Sequence, residues 1–262
     1  MSTIQKIAKR FFDKYYKNMH PEAALRYFPV VQKLKDLKLE GSKILEIGSG
    51  SLGITPYLKK PVDGIDIDFS GPETPLVNKI KAGGVILPFH KNSYDVVIAV
   101  DVLEHIEPYL RAKAISEWLK VAKKLVIIVV PIGQFSEKQD RELDLYWQKV
   151  FKDKNLFLTE HVKNGLPQAE EILVNIDKLA RQLGKKAKVN SRPLLNLGVR
   201  KFLMKTWISK NKYKYYLYLK GYLLLLPLLK YANFGKCYRR IFVVEFVSPA
   251  EDRSSSRATS SR

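Results

Sequence analysis

Glu46-Ile-Gly48-Ser-Gly50-Ser-Leu-Gly53 follows the apolar run Lys43-Ile-Leu and precedes a segment of helical spacing. Glycines at a strand-to-helix turn let the main chain approach a ligand, and the start of the helix offers unpaired N–H groups to its negative end. Asp66 ends the next apolar run, 18 residues after Gly48, where a carboxylate can accept hydrogen bonds from both hydroxyls of a ribose. Together the glycine turn and Asp66 point to a cofactor that carries adenosine. Two histidines have the chemistry of proton transfer. His105 follows the run Tyr94-Asp-Val-Val-Ile-Ala-Val, and His161 lies in Glu160-His-Val-Lys-Asn-Gly-Leu-Pro. An imidazole titrates near neutrality and can act as general base toward a hydroxyl. The alternative for His105 is a structural histidine that caps or packs the following helix.

The elements that must position these residues are visible as changes of period. From Lys43 the β-branched runs KILEI, VDGIDI, YDVVIAV and KKLVIIVV alternate with helix-length polar segments. Nearly continuous apolar strands mark a parallel sheet covered by helices on both faces, the doubly wound α/β pattern. Upstream, Ile4, Ile7, Ala8, Phe11, Phe12 and Tyr15 recur at three- and four-residue steps, which predicts a helix over 3–18. Pro21 opens a second helix over 21–38. Helical spacing returns at 137–152 and 168–183, a short strand is expected at 186–190, and RRIFVVEFV at 239–247 reads as a late strand. Residues 251–262 are polar and are expected to form a disordered tail.

The 262 residues, 46% hydrophobic and 27% charged, describe a folded globular chain, long enough for one large α/β domain with an appendage. The single cysteine, Cys237, excludes a disulfide scaffold and a thiolate zinc centre, and no metal site is assigned from spacing. The first residues lack the apolar core of a secretory signal, so a cytoplasmic location is expected. Net charge is +20 and unevenly placed, with about +5 over 1–140 and +15 over 141–262. Between Lys178 and Arg240 stand 17 basic residues and no acidic one, which implies an anionic partner: a nucleic acid, a lipid surface or a phosphorylated substrate. Within this region the uncharged apolar stretch 221–229 contains Pro227 and falls far below the roughly 20 residues that cross a bilayer. It is either a core helix or an interfacial helix with Leu223, Leu224, Leu226 and Leu229 turned to the membrane.

Over residues 40–132 the sequence resembles the class I S-adenosylmethionine-dependent methyltransferases. The resemblance rests on Glu46 two positions before Gly48, on Leu87-Pro-Phe, on Ser93-Tyr-Asp-Val-Val and on Asp101-Val-Leu-Glu-His-Ile, in the family's order. It implies a seven-stranded, Rossmann-like sheet in a domain over 41–250, an N-terminal helical lid over 1–40, and a basic Leu- and Tyr-rich helical insertion over 195–233 before the last strand. It also implies S-adenosyl-L-methionine as cofactor. Glu46 would organise the glycine loop, with Gly48, Ser49 and Gly50 against the methionine part. Asp66 would hold the ribose, Ile67 would pack on the adenine and Leu87 would border it. Val100 and Asp101 would lie near the sulfonium and the substrate mouth, with Asp101 and His105 as the catalytic candidates. Two departures stand out. The family's third glycine falls at Leu52, with Gly53 one residue later, and Ala82-Gly83-Gly84-Val85 replaces an acidic residue that holds the adenine amino group, so a main-chain carbonyl is expected there instead.

The Gly165-Leu-Pro segment and the hydrophobic, basic C-terminal region are similar to those of bacterial enzymes that modify cell-surface glycans or their lipid-linked precursors. The expected acceptor is therefore an anionic glycan or lipid-linked intermediate at the inner membrane face, with peripheral contact to an anionic membrane surface. The alternatives are an RNA or other nucleic-acid methyltransferase, which lacks here the Asn/Asp-Pro-Pro-aromatic segment of amino-adenine enzymes, and a non-catalytic binding module on the same fold.

Overall fold

The computed structural model describes residues 3–247. Its seven strands are β1 Ile44–Ile47, β2 Val62–Asp66, β3 Val77–Lys81, β4 Tyr94–Val100, β5 Ala122–Pro131, β6 Ala187–Asn196 and β7 Cys237–Phe246. They form one sheet in the order β3-β2-β1-β4-β5-β7-β6, in which β7 runs antiparallel to both its neighbours. This is the expected α/β, Rossmann-like methyltransferase sheet. The helices are α1 Thr3–Tyr15, α2 Pro21–Asp36, α3 Thr55–Leu58, α4 Pro108–Val121, α5 Gly133–Phe151, α6 Leu156–Asn164, α7 Ala169–Gln182, α8 Leu197–Trp207, α9 Lys212–Tyr216 and α10 Tyr222–Leu229, the last two joined by a π-helical turn at Leu217–Gly221.

The two-residue period of the strands sorts their side chains between two layers. Leu45 and Ile47, Val97 and Ala99, and Val126, Ile128 and Val130 share a core with Ala114, Ile115 and Trp118 of α4 and Ile172 and Ile176 of α7. Ile44, then Val96, Ile98 and Val100, then Leu125, Ile127 and Val129 meet Val30 and Leu34 of α2 on the opposite face. Each such side chain contributes about 1.5–3 kcal/mol when fully buried. The expected lid over 1–40 therefore divides. α2 is a structural layer of the core, and only α1, with Ile7, Phe11 and Tyr15 exposed, stands off it.

β3 carries no apolar run. Its sequence, VNKIK, becomes a strand by pairing with β2 from Val62↔Val77 to Asp66↔Lys81, and its lysines suit a sheet edge. At the other edge the strand expected over 186–190 extends to Asn196, because β7 pairs with it from Ala187↔Phe246 to Asn196↔Cys237. The edge position tolerates Pro193, which cannot donate to a ladder.

Between β6 and β7 the insertion folds back on α2. Leu203, Tyr218, Tyr222, Leu223 and Leu226 pack with Ala24 and Leu25. The leucines expected to face a membrane are thereby corrected: Leu223 and Leu226 are 1% and 2% exposed, whereas Leu224, Leu225 and Leu228 are 50%, 44% and 71% exposed. The segment is core on one face and open on the other. Among the described residues no helix is long and apolar enough to cross a membrane. The expected tail, 251–262, lies outside the described residues.

Candidate active site

At the end of β1, Glu46 is fully buried. Its Oε1 accepts a hydrogen bond from the Tyr27 hydroxyl at 2.8 Å and its Oε2 one from the Ile54 N–H at 2.7 Å, so it braces the glycine turn from beneath. The N–H groups of Gly48 and Ser49 both reach the Ile65 carbonyl on β2, at 2.8 and 3.1 Å. Gly48 has φ +68°, and a Cβ there would strike Val102. Gly53, at φ +48°, donates to the Ser49 carbonyl at 2.8 Å, and a Cβ on it would land on the Glu46 carboxylate. The helix that follows, α3, is a single turn.

Asp66 closes the other side. Its Oδ2 accepts from the Gly50 N–H at 2.7 Å and its Oδ1 from the Asp68 N–H at 3.0 Å, and each oxygen retains a further lone pair for a ligand hydroxyl. A Cβ on Gly50 would meet nothing within 4 Å, and Ile67 beside Asp66 is 72% exposed. A bare main-chain floor, a carboxylate and an exposed apolar side chain fit an adenosine-bearing donor. Leu87 and Val100 do not join them. Leu87 is buried on the α4 face of the sheet, and strand alternation turns Val100 to the α2 face with Val96 and Ile98. Both chain neighbours of Leu87, Ile86 and Pro88, are exposed. In the 82–85 stretch the Gly84 carbonyl already accepts the Trp118 indole N–H at 2.8 Å.

Burial pushes the Glu46 carboxyl up to about 7, against the two donors that favour its charge. Because the folded value lies above the ordinary 4.5, the fold binds this proton more tightly than the unfolded chain does. The contribution is complete below that ordinary value and is lost as pH rises through about 7. We expect donor-free protein to lose on the order of 3 kcal/mol across this window relative to Glu46→Gln. Urea denaturation of both proteins as a function of pH checks this, and parallel profiles would contradict it.

At the end of β4, Asp101 sits in the left-handed region at φ +52°. It is held by two cations that no local pattern announces. Arg239 of β7 donates from Nε to Oδ1 at 2.7 Å, and Arg26 of α2 donates from Nη1 to Oδ2 at 2.5 Å. Arg239 also pairs with Glu22 at 2.5 Å. Burial opposes the charge on Asp101, but Arg239 and then Arg26 outweigh it and hold the carboxyl below its usual range. Asp101 is therefore committed to a four-residue ion cluster and is a positioning residue rather than a proton acceptor.

The two histidine candidates come together although 56 residues separate them, with ring centroids 4.8 Å apart. His105 Nδ1 lies 2.7 Å from Glu160 Oε2 and His161 Nδ1 lies 2.9 Å from Asp140 Oδ2. Asp140 also accepts from the Tyr238 hydroxyl at 2.7 Å and pairs with Arg200 at 2.9 Å. Burial, followed by the neighbouring His161, lowers the His105 pKa. Glu104, fully buried beside them, has its pKa pushed well up by burial and then by the Asp101 charge. Arg26, Arg239, Asp140, Arg200 and Tyr238 escape a reading of the sequence because each meets its partner across 21 or more residues.

Residues 45–130 match a family model described as a methyltransferase domain. The fold is similar to that of the methyltransferase domain of bacterial CtHen1-C, at 13% identity and a TM-score of 0.52 over 86% of this chain and 100% of that one. It is also similar to magnesium protoporphyrin IX methyltransferase (ChlM) from Synechocystis PCC 6803 with bound SAH, at 14% identity and a TM-score of 0.50 over 95% and 89% of the two chains. The small RNA methyltransferase HEN1 shares 13% identity and a TM-score of 0.52 over 85% of this chain and 25% of its own. At such identities the likeness is one of fold. No curated protein sequence matches the chain.

Proposed function

We propose that this chain is an S-adenosylmethionine-dependent methyltransferase, a reading its methyltransferase-domain match over residues 45–130 supports, and that it methylates an oxygen nucleophile of an anionic acceptor carried at a membrane surface, a glycan or its lipid-linked precursor. The donor supplies a methyl carbon on a sulfonium. The protein's task is chiefly to hold a nucleophile in line with that carbon, since orientation alone provides much of such an acceleration. The turn at Gly48–Gly50, Asp66 and Ile67 hold the donor. The ion cluster of Asp101, Arg239, Arg26 and Glu22 fixes the end of β4 against α2 and β7, and Glu104, His105 and His161 lie just beyond it.

The carrying observation is the open face of the insertion. Leu217, Leu224, Leu225 and Leu228 are exposed there, with exposed Tyr213, Tyr216 and Tyr231 and with Lys212, Lys214 and Lys230 along the same helices. α1 adds to it, because the Lys220 ammonium lies 4.7 Å from the centre of the Phe12 ring. Exposed leucine flanked by tyrosine and lysine is what a headgroup boundary selects, and the inner face of these helices packs on α2, which carries Arg26 into the site.

Leu225→Ser with Leu228→Ser is expected to abolish sedimentation with anionic liposomes at an unchanged melting temperature, since each leucine contributes about 1.5–3 kcal/mol when fully buried. Absence of liposome binding by the unaltered chain, or a double variant that binds equally well, would refute the membrane acceptor. Salt-sensitive retention of RNA without liposome binding would favour a nucleic-acid acceptor instead.

A further inference from the structure

The Glu104, His105 and His161 side chains bring their ligating atoms within 4.8 Å of one another, and the hydrogen bonds around them leave an unfilled requirement. Glu160 and Asp140 each face an Nδ1 atom, and an ionised carboxylate can only accept, so both rings must carry their proton on Nδ1. While both imidazoles are neutral the Nε2 atoms are bare lone pairs, yet they point at each other across 3.4 Å. Neither ring can donate to the other in that state. Glu104 is fully buried, and neither of its carboxylate oxygens meets a donor from another residue. Its Oε1 stands 3.9 Å from His161 Nε2. Two acceptor nitrogens and a buried carboxyl group without a partner converge on one spot.

We infer that this spot binds a divalent transition-metal cation, with Glu104, His105 Nε2 and His161 Nε2 as ligands. Nitrogens about 2.1 Å from a tetrahedral centre lie about 3.4 Å apart, which is the separation the two rings already have. Glu160 and Asp140 supply the outer carboxylates that fix the tautomer and orientation of metal-bound histidines. Mixed imidazole and carboxylate donors suit zinc, cobalt, iron or manganese, and three protein ligands leave positions open. The side chain of His105 is 25% exposed, so the site opens toward the mouth. Resting on the reading of an oxygen acceptor, an acceptor oxygen takes an open position. His105 is then a ligand and not a base.

Tag-free protein stripped with a chelator and titrated with cobalt(II), in the absence of donor and acceptor, tests the site by visible absorption and calorimetry. A single cobalt per chain should bind and give the intense absorption of a low-symmetry nitrogen and oxygen site. Glu104→Gln should remove that binding. Glu160→Ala, at an exposed position that does not threaten the fold, should weaken it by roughly 10- to 100-fold. S-adenosylhomocysteine affinity, measured in parallel, should be retained in both variants as a control for folding. Failure of the folded, unaltered chain to bind cobalt, or unchanged affinity in either variant, would overturn the proposal. Because no acceptor is present, failure of the lipid-linked acceptor reading would leave these results untouched.

Discussion

Replacing Asp101 with Ala is expected to lower the stability of the fold by about 3–5 kcal/mol, the usual cost of removing one partner from a buried charge network. The Arg239 side chain is 5% exposed and Arg26 27% exposed, and without Asp101 only Glu22 among the described residues remains to answer both. The left-handed backbone at this residue adds about 1–2 kcal/mol for Ala, whereas Asn adopts it more readily. Asp101→Asn therefore separates charge from conformation and should fall between the two proteins. Urea denaturation with circular dichroism measures both changes. A midpoint unchanged in Asp101→Ala would mean that water, rather than the carboxylate, solvates the arginines. The depressed pKa also has a consequence in acid. Stability from this cluster is present above the ordinary carboxylate value and is lost as pH falls through the lower folded one.

Asp66→Ala should weaken S-adenosylmethionine by about 1.5–3 kcal/mol, or roughly 10- to 150-fold, because it removes charged hydrogen bonds to the ribose hydroxyls. The structure adds a second route to the same loss, since this carboxylate also holds the Gly50 N–H. Asp66→Asn keeps an oxygen for that N–H but gives up the charge, so it should bind the donor with intermediate affinity. Isothermal titration on protein of unaltered circular dichroism reads both effects. If affinity is unchanged in Asp66→Ala, the ribose lies elsewhere.

The glycine turn was the legible part. Its residues lie on successive local elements, the turn after β1 and the end of β2, so spacing alone brings Glu46, the glycines and Asp66 together. The same logic did not reach β3, where Asn78, Lys79 and Lys81 give no apolar run and only pairing with β2 makes the strand. Leu87 and Val100 illustrate a second limit. Their motif places them near the cleft along the chain, yet the direction of a side chain depends on the parity of the strand and on what covers each face. The leucines at 223–229 show the same thing on a helix, with apolar residues on both faces and no pattern to say which is inside. Asp101 and His105 stand out in the sequence as candidates, but their partners arrive from α2, α6 and β7. Charge alone carries no information about such pairings.

The place of β7 in the sheet gives the protein an order of assembly. β6 depends on β7 for its pairing and β5 takes one of its two neighbours from it, yet β7 is the last of the described strands to be synthesised, with residues 197–236 intervening after β6. Strands β1 to β5 can associate among themselves beforehand, and they carry Glu46, the glycine turn and Asp66. The rest of the site waits, because Arg239, which locks Asp101, and Tyr238, which steadies Asp140, both ride on the final strand. Non-local pairing of this kind folds slowly. A nascent chain halted before Cys237 would present β5 as an open, strongly apolar edge, the feature most prone to join another chain.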